Sequence, residues 1–429
     1  MIWNLESETM PRERLAALQV DRLRATIATL LRAVPPQRER LRAAGVDSPD
    51  AVRSLADLRR LPFTTKADLR EQYPFGLFAV PREQLVRIHA SSGTRGKPTI
   101  VGYTANDMAV WNEVMARCLT LHGVRRGMVV HNAYGYGLFT GGLGVHQSAE
   151  LIGCTVIPVS GGFTQRQITL LQDLGGEVLG ATPSYALNLA QALREQGVDP
   201  ATLKLKIGVF GAEPWTEEMR AELERQLGLR AMNLYGLSEI VGPGVAAECA
   251  EVRQGLHVQE DHFLAEIVDL HSGEPLPPGH EGELVLTTLT KEALPLVRYR
   301  TGDVSTLDDT PCGCGRTLAR MARVRGRYDD MLIIRGVNLY PSEVERILLS
   351  VADVAPHYQL VVDRPGALDE LTVLCEPADS AVDRDALGAR VAHALHAETG
   401  ITVGVQVLAP GEVPRSEGKA VRVVDRRPH

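Results

Sequence analysis

The chain has 429 residues, of which 44% are hydrophobic and 23% charged, with a formal net charge of −7. That balance excludes a wholly disordered chain, and it offers none of the clustered excess positive charge that nucleic-acid binding requires. The length suggests two or three domains, each able to bury its own core, and the six cysteines are too sparse for a disulfide framework.

The N-terminal segment MIWNLESETMPRERL is charged from its sixth residue and has no apolar h-region, so neither a secretory signal nor a membrane anchor is expected there. Residues 11–45 read as helical, with Leu15, Leu18, Leu23, Ile27, Leu30 and Leu31 recurring near the helical period. The uncharged stretch Met128–Ala149 is long enough to raise the question of a membrane span. Its many glycines, two histidines, asparagine and glutamine make it buried sheet and loop instead, so no membrane partner and a cytoplasmic location are expected. The runs MVVHNA, CTVIPVS, EVLGATP and KIGVFGAEP read as buried strands. Between them lie the helical segments Thr164 to Asp173, Ser184 to Gln196 and Thr216 to Leu227. Strand and helix in alternation imply an α/β fold with helix-covered, mostly parallel sheets.

After about residue 240 the texture changes. FLAEIVDL, GELVLTTL and DVSTLDD alternate apolar and polar residues and read as an antiparallel, β-rich subdomain. A small α+β tail follows RVRGRYDD: the hairpin MLIIRGVNLY, a helix opened by Pro341, the strands YQLVVD and LTVLCE, a helix near Arg384 to Glu398, and VGVQVL. The expected division is 1–327 for a large N-terminal domain and 328–429 for a small C-terminal one.

Several short segments carry chemistry. Ser91-Ser92-Gly93-Thr94-Arg95-Gly96-Lys97-Pro98-Thr99 combines hydroxyls, turn-forming glycines and a lysine, the composition of a phosphate-cradling loop without Walker A spacing. Tyr235-Gly236-Leu237-Ser238-Glu239 offers a ring to pack on a planar base and a hard carboxylate oxygen for Mg²⁺. Thr301-Gly302-Asp303 places a carboxylate after a glycine turn, where it can accept from a ribose diol. Gly326-Arg327-Tyr328-Asp329-Asp330 sits where composition changes and reads as a hinge. Pro414-Arg415-Ser416-Glu417-Gly418-Lys419 is a loop with a terminal lysine. Tyr134, Tyr136, Gly137, Phe139 and Gly141 follow a strand and suit the walls of a pocket for a flat ring.

In this order, the segments resemble the adenylate-forming superfamily. With LPFTTKADLREQYPFGLFAV, RIHASSGT, FGAEPW, YGLSEIVGPG, GLHVQEDHF, LPLVRYRTGD, DDMLIIRGVNLYPSEVE and PRSEGKAVRVVDRR, the chain resembles the phenylacetate–CoA ligase family along essentially its whole length. The resemblance implies that a carboxylic acid and ATP form an acyl-adenylate, with the acyl group then passing to the thiol of coenzyme A. It implies that Ser91, Ser92, Gly93, Thr94, Gly96 and Lys97 hold the ATP phosphates. Gly211, Ala212, Glu213 and Pro214 would line the adenine pocket, with Tyr235 and Gly236 against the base. Ser238 would touch the phosphate and Glu239 carry Mg²⁺. Asp303 would hold the ribose, with Arg327 nearby. Asp329 would be the hinge of a mobile C-terminal domain, and Lys419 would stabilise charge during adenylation. Arg95 stands where relatives commonly carry threonine. The implied substrate is a small aromatic acid, and relatives suggest a homodimer. The alternative acceptor is a carrier-protein thiol or an amine, which the same adenylation residues would serve.

Cys312-Gly313-Cys314-Gly315 places two thiolates one residue apart, with glycines permitting a sharp turn. Cys249 and His257 are the best candidates to complete a set of four. A structural Zn²⁺ is therefore expected, in keeping with some members of the family, while Cys118, Cys154 and Cys375 read as core.

Overall fold

Leu15, Leu23, Ile27 and Leu30 are completely buried along one face of the helix Arg12–Ala33, so the 3.6-residue stripe faces a core as its spacing requires. The helix stops before Pro35, and a second one, Pro35–Ala43, starts there because proline suits a first turn but not an interior. These elements belong to a computed structural model that describes residues 1–91, 98–335, 337–365 and 369–427.

The chain forms two compact units. The first comprises Met1–Ser160, Glu177–Gly180 and Met232–Arg323. In it the strand Val129–Asn132 pairs in parallel with Thr155–Ile157 and with Val178–Ala181. The helix Gly141–Ile152 packs on these strands, and Ala105–Leu121 packs on that helix and on the strand Gly242–Glu248. Antiparallel pairing takes over beyond residue 230. Arg230–Leu237, Gly242–Glu248 and Leu256–Val258 pair in succession, and Phe263–Val268, Gly282–Thr288 and Tyr299–Ser305 form a meander. The sheets are thus mixed, with the parallel pairing expected for the α/β part and the antiparallel pairing expected for the β-rich part.

The second unit comprises Gly161–Gly176, Ala181–Ala231 and the tail from Val324. Its helices Thr164–Leu174, Pro183–Glu195 and Glu217–Leu227 fall where the sequence places them. In the tail, Leu332–Ile334 and Val337–Leu339 form the expected hairpin. The strands Val354–Asp363 and Glu370–Pro377 then pair antiparallel, flanked by parallel partners Val423–Asp425 and Gly404–Val407. The helices Pro341–Ser350 and Arg384–Thr399 supply Val344, Ile347, Leu348, Leu387 and Val391 to one apolar core with Leu360, Val362 and Val373. Among the described residues no helix is long and apolar enough to cross a membrane.

The uncharged stretch departs from expectation in one respect. Its glycine-rich second half is the helix Gly141–Ile152 rather than loop. A side chain on Gly144 would press within 2.7 Å of Trp111, so this glycine serves close helix packing and local propensity misleads.

Candidate active site

Within the first unit, the strand Arg230–Leu237 shifts register between Tyr235 and Gly236, where the segment Tyr235–Glu239 begins. A Cβ on Gly236 would stand 2.1 Å from the Gly242 carbonyl oxygen, so only glycine allows this crossing. The hairpin is pinned from below. Tyr103 donates from its hydroxyl to the Val241 carbonyl at 3.0 Å, and the Trp111 indole donates to Pro243 at 2.8 Å. The Tyr103 and Trp111 rings stack with centroids 4.9 Å apart, and the buried Lys291 ammonium lies 3.5 Å from the centre of the Tyr103 ring. Burial lowers the Lys291 pKa to about 8, against the attraction of Asp107.

Upon this base Ser238 and Glu239 are both buried. The Ser238 hydroxyl meets that of Thr140 at 3.1 Å, tying this hairpin to the turn that precedes the helix Gly141–Ile152. Lys66 Nζ lies 3.9 Å from Glu239 Oε1. Tyr235 donates to Asp303 Oδ2 at 2.6 Å, so the side chains assigned to base and ribose are neighbours.

Asp303 owes its position to a local arch. In the meander Val285 opposes Arg300 and Glu283 opposes Val304, so Thr301, Gly302 and Asp303 bulge opposite the lone Leu284. The fully buried Glu283 holds the arch from inside: it accepts from Arg300 Nε at 2.7 Å and from the Gly302 amide at 3.0 Å. Gly302 takes φ 80°, which its missing Cβ permits.

The acid-pocket residues form a second group in this unit. Tyr134 is buried, Tyr136 and Phe139 are half-buried, and Gly137 faces open space. Asn132 Nδ2 donates to the Tyr136 hydroxyl at 2.8 Å and to the Gly142 carbonyl at 2.8 Å. The same hydroxyl lies 3.0 Å from His146 Nδ1. Burial pushes the Tyr136 pKa up to about 12, so the phenol stays protonated and polar without charge. Gly141 contacts this aromatic turn directly: a Cβ there would meet Phe139 at 2.8 Å.

The four metal-ligand candidates also come together. One ligand atom each from Cys249, His257, Cys312 and Cys314 all lie within 4.8 Å of one another. Cys249 and Cys312 Sγ are 3.8 Å apart, and Cys314 Sγ is 3.4 Å from His257 Nε2. His257 Nδ1 is 3.3 Å from the Leu318 carbonyl, the partner that would keep Nε2 turned to the sulfurs. Of the three expected core cysteines, Cys118 and Cys375 are fully buried, whereas Cys154 is half-buried at the end of the helix Gly141–Ile152 and donates to the Arg125 carbonyl.

In the second unit, Gly211–Pro214 ends the strand Ile207–Gly211. Ala212 sits in the left-handed region at φ 72°, a costly place for a residue with a Cβ. Glu213 accepts from the Ser184 amide at 2.7 Å and from the Ala420 amide at 2.8 Å. Arg327 grips Asp329 through two bonds of 2.8 and 2.9 Å across the turn Tyr328–Asp330. Lys419 is exposed on a turn closed by the Ser416 hydroxyl donating to its carbonyl at 2.6 Å. Ser91 is half-buried after its strand. Ser92, Gly93, Thr94, Arg95, Gly96 and Lys97 lie outside the described residues.

Residues 10–289 match the model of the AMP-binding enzyme family, and residues 336–427 match that of the AMP-binding enzyme C-terminal domain. The phenylacetate-coenzyme A ligase of Thermus thermophilus is 54% identical over 445 aligned positions, covering 100% of both chains. The chain belongs to the phenylacetate–CoA ligase family. The Escherichia coli phenylacetate-coenzyme A ligase is 51% identical, over 98% of this chain and 97% of that one. Among solved structures, a 2-hydroxyisobutyryl-CoA ligase in its postadenylation state with 2-HIB-AMP matches with a TM-score of 0.93 at 28% identity, covering 99% of this chain and 92% of that one. The family's ordered segments are therefore the ones on which Tyr235, Ser238, Glu239 and Asp303 gather. Sequence reasoning assigned no role to Tyr103, Trp111, Lys66 or Lys291. Lys66 lay within the quoted segment LPFTTK, but nothing in that run signals its approach to Glu239.

Proposed function

We infer that the protein is an ATP-dependent, AMP-forming aryl-acid–CoA ligase acting on a phenylacetate-like acid through an acyl-adenylate. The full-length relationship to phenylacetate-coenzyme A ligases carries this reading. A carboxylate oxygen attacks the α-phosphorus of ATP and pyrophosphate leaves. The CoA thiol, losing its proton, then attacks the acyl carbon and AMP leaves. ATP and CoA are thus co-substrates, and CoA is favoured over a carrier-protein thiol or an amine as acceptor.

The residue roles are those the family resemblance implies, and the chemistry of each side chain suits them. Tyr235, fixed by its bond to Asp303, offers its ring to the adenine. A carboxylate has about four acceptor sites, and Asp303 is the group proposed to accept from the ribose diol beside Tyr235. Ser238 donates toward the α-phosphate. Glu239 fits Mg²⁺ as a buried hard-oxygen donor, and the bound ion would neutralise phosphate charge. Lys419 supplies positive charge where negative charge grows on phosphorus. Ser91 through Lys97 serve the leaving phosphates. Tyr134, Tyr136, Gly137, Phe139 and Gly141 enclose the aromatic ring. Residues 328–429 form the mobile domain, with Asp329 as hinge and Arg327 as its partner.

Cys249, His257, Cys312 and Cys314 fit a structural Zn²⁺. Tetrahedral bonds of ordinary length put two thiolates about 3.7 Å apart and a thiolate and an imidazole nitrogen about 3.5 Å apart, close to the separations of 3.8 and 3.4 Å. Four protein ligands would leave no open position for catalysis. Six unpaired cysteines accord with a cytoplasmic setting. A homodimer is the proposed assembly, which sedimentation would test. The activity is tested by ATP–pyrophosphate exchange with arylacetic, aryl and aliphatic acids, followed by trapping of the product with CoA.

A further inference from the structure

The second unit holds a reciprocal pair of carboxylates. Glu213 belongs to the segment Ala181–Ala231, and it accepts the Ala420 amide of the tail at 2.8 Å. Glu345 belongs to the tail helix Pro341–Ser350, and it accepts the Thr216 amide, just before the helix Glu217–Leu227, at 3.1 Å. Arg422 lies between them. Its guanidinium donates to the Ser184 hydroxyl at 3.2 Å, stands 3.5 Å from the Glu345 carboxylate, and covers the Tyr358 ring at 4.3 Å. Glu345 is 2% exposed in its side chain, so its charge depends on these partners.

Three contacts bear on one short loop. Thr182 donates to the Gly418 carbonyl at 2.9 Å, Asn188 Nδ2 donates to the Ser416 carbonyl at 2.5 Å, and Glu213 holds Ala420. Residues 416, 418 and 420 are thus fixed through their backbones, and Lys419 stands between two of them. A backbone anchor on each side sets the origin and direction of the lysine side chain. Of the anchors only Glu213 offers a carboxylate, which accepts two backbone amides at once, from Ser184 and Ala420, and carboxylate–amide bonds are among the strong ones. Ala212, strained at φ 72°, turns the chain at the residue before Glu213.

We propose that Glu213 is a positioning residue for Lys419, acting through the Ala420 amide, and that it serves the adenylation half-reaction. This rests on the reading that Lys419 assists adenylation. It differs from the expectation that Glu213 lines the adenine pocket, because its carboxylate is engaged with Ser184 and Ala420.

The test compares the wild type with Glu213→Ala, Glu213→Gln and Lys419→Ala in separated half-reactions. Adenylation is read by ATP–pyrophosphate exchange at varied ATP, and thioester formation by CoA attack on supplied phenylacetyl-adenylate. For Glu213→Ala the maximal exchange rate should fall about ten- to a hundredfold, as loss of a charge-assisted bond predicts. KM for ATP and the CoA step should change less than about twofold. Glu213→Gln should recover part of the rate, since its amide oxygen can accept one of the two N–H groups. A raised KM for ATP with an unchanged maximal rate would make Glu213 a nucleotide contact and overturn the proposal. Equal losses in both half-reactions would reduce Glu213 to a structural role and also overturn it. Undiminished exchange in Lys419→Ala would instead remove the reading of Lys419 beneath it.

Discussion

The roles proposed for Lys419 and Glu239 differ, and single substitutions should separate them. Lys419→Ala should lower the maximal pyrophosphate-exchange rate by about 10²- to 10³-fold, the usual loss when one preorganised charge is removed from a transition state. Thioester formation from supplied adenylate should persist. Glu239→Gln keeps the shape of a buried side chain but weakens a hard-cation ligand. Its exchange should therefore demand more Mg²⁺, read as a rightward shift of the Mg²⁺ titration; an unshifted curve would take Glu239 out of metal binding. At this scale the sequence made visible the candidate residues that stand in short runs, such as Tyr235, Ser238, Glu239 and Asp303. It did not make visible what supports them. Tyr103, Trp111 and Lys291 reach the same hairpin from distant stretches, and only packing unites them. Nor did the order Gly-Ala-Glu-Pro reveal that Glu213 turns toward Ser184 and Ala420, since Ala212 enters a backbone region that composition does not announce.

Elements were legible where their pattern was strong. The strands Val178–Ala181 and Ile207–Gly211 are continuous apolar runs, buried along their length, and Thr216 caps its helix by accepting the Met219 amide. The helix Gly141–Ile152 was hidden because its glycines serve close approach, Gly141 to Phe139, Gly142 to the Gly135 carbonyl and Gly144 to Trp111. Gly236 marks the same economy of space in a strand. Gly236→Ala would drive a Cβ against the Gly242 carbonyl, costing about 1–3 kcal/mol and displacing Ser238 and Glu239. Calorimetry should show a lower Tm, and exchange should weaken together with it. The cysteine cluster joins the segment following the strand Gly242–Glu248 to the knuckle at Cys312–Cys314. Purified protein should contain about one zinc ion per chain by elemental analysis. Cys312→Ser or chelation should remove it and lower Tm, and metal-free protein of unchanged Tm would refute a structural zinc.

For the whole molecule, acid should weaken both units. Burial lowers the pKa of His262 in the first unit to about 4, with Arg117 and Arg22 opposing its protonation and Asp261 favouring it. Burial likewise lowers that of His357 in the second unit to about 3. Unfolded histidine titrates near 6.5, so below about pH 6.5 the unfolded chain binds more protons than the folded one. The stability these histidines contribute is complete above that pH and is lost as pH falls through 4 and then 3. Urea midpoints measured from pH 7 to 4 should decline, and His262→Gln should flatten the decline. The broad plan, an α/β part followed by a β-rich part and an α+β tail, was readable from hydrophobic texture. The association of the tail with residues 161–176 and 181–231 in one unit was not, because it rests on scattered single contacts such as Thr182 with Gly418, Asn188 with Ser416 and Glu345 with Thr216.

The central claim is acid activation followed by transfer to CoA. It is tested most directly by ATP–pyrophosphate exchange across arylacetic, aryl and aliphatic acids, with CoA added to the best of them. The account predicts strong exchange with an aromatic acid such as phenylacetate and its conversion to the CoA thioester with release of AMP. Exchange without transfer to CoA, or none with any aromatic acid, would contradict it.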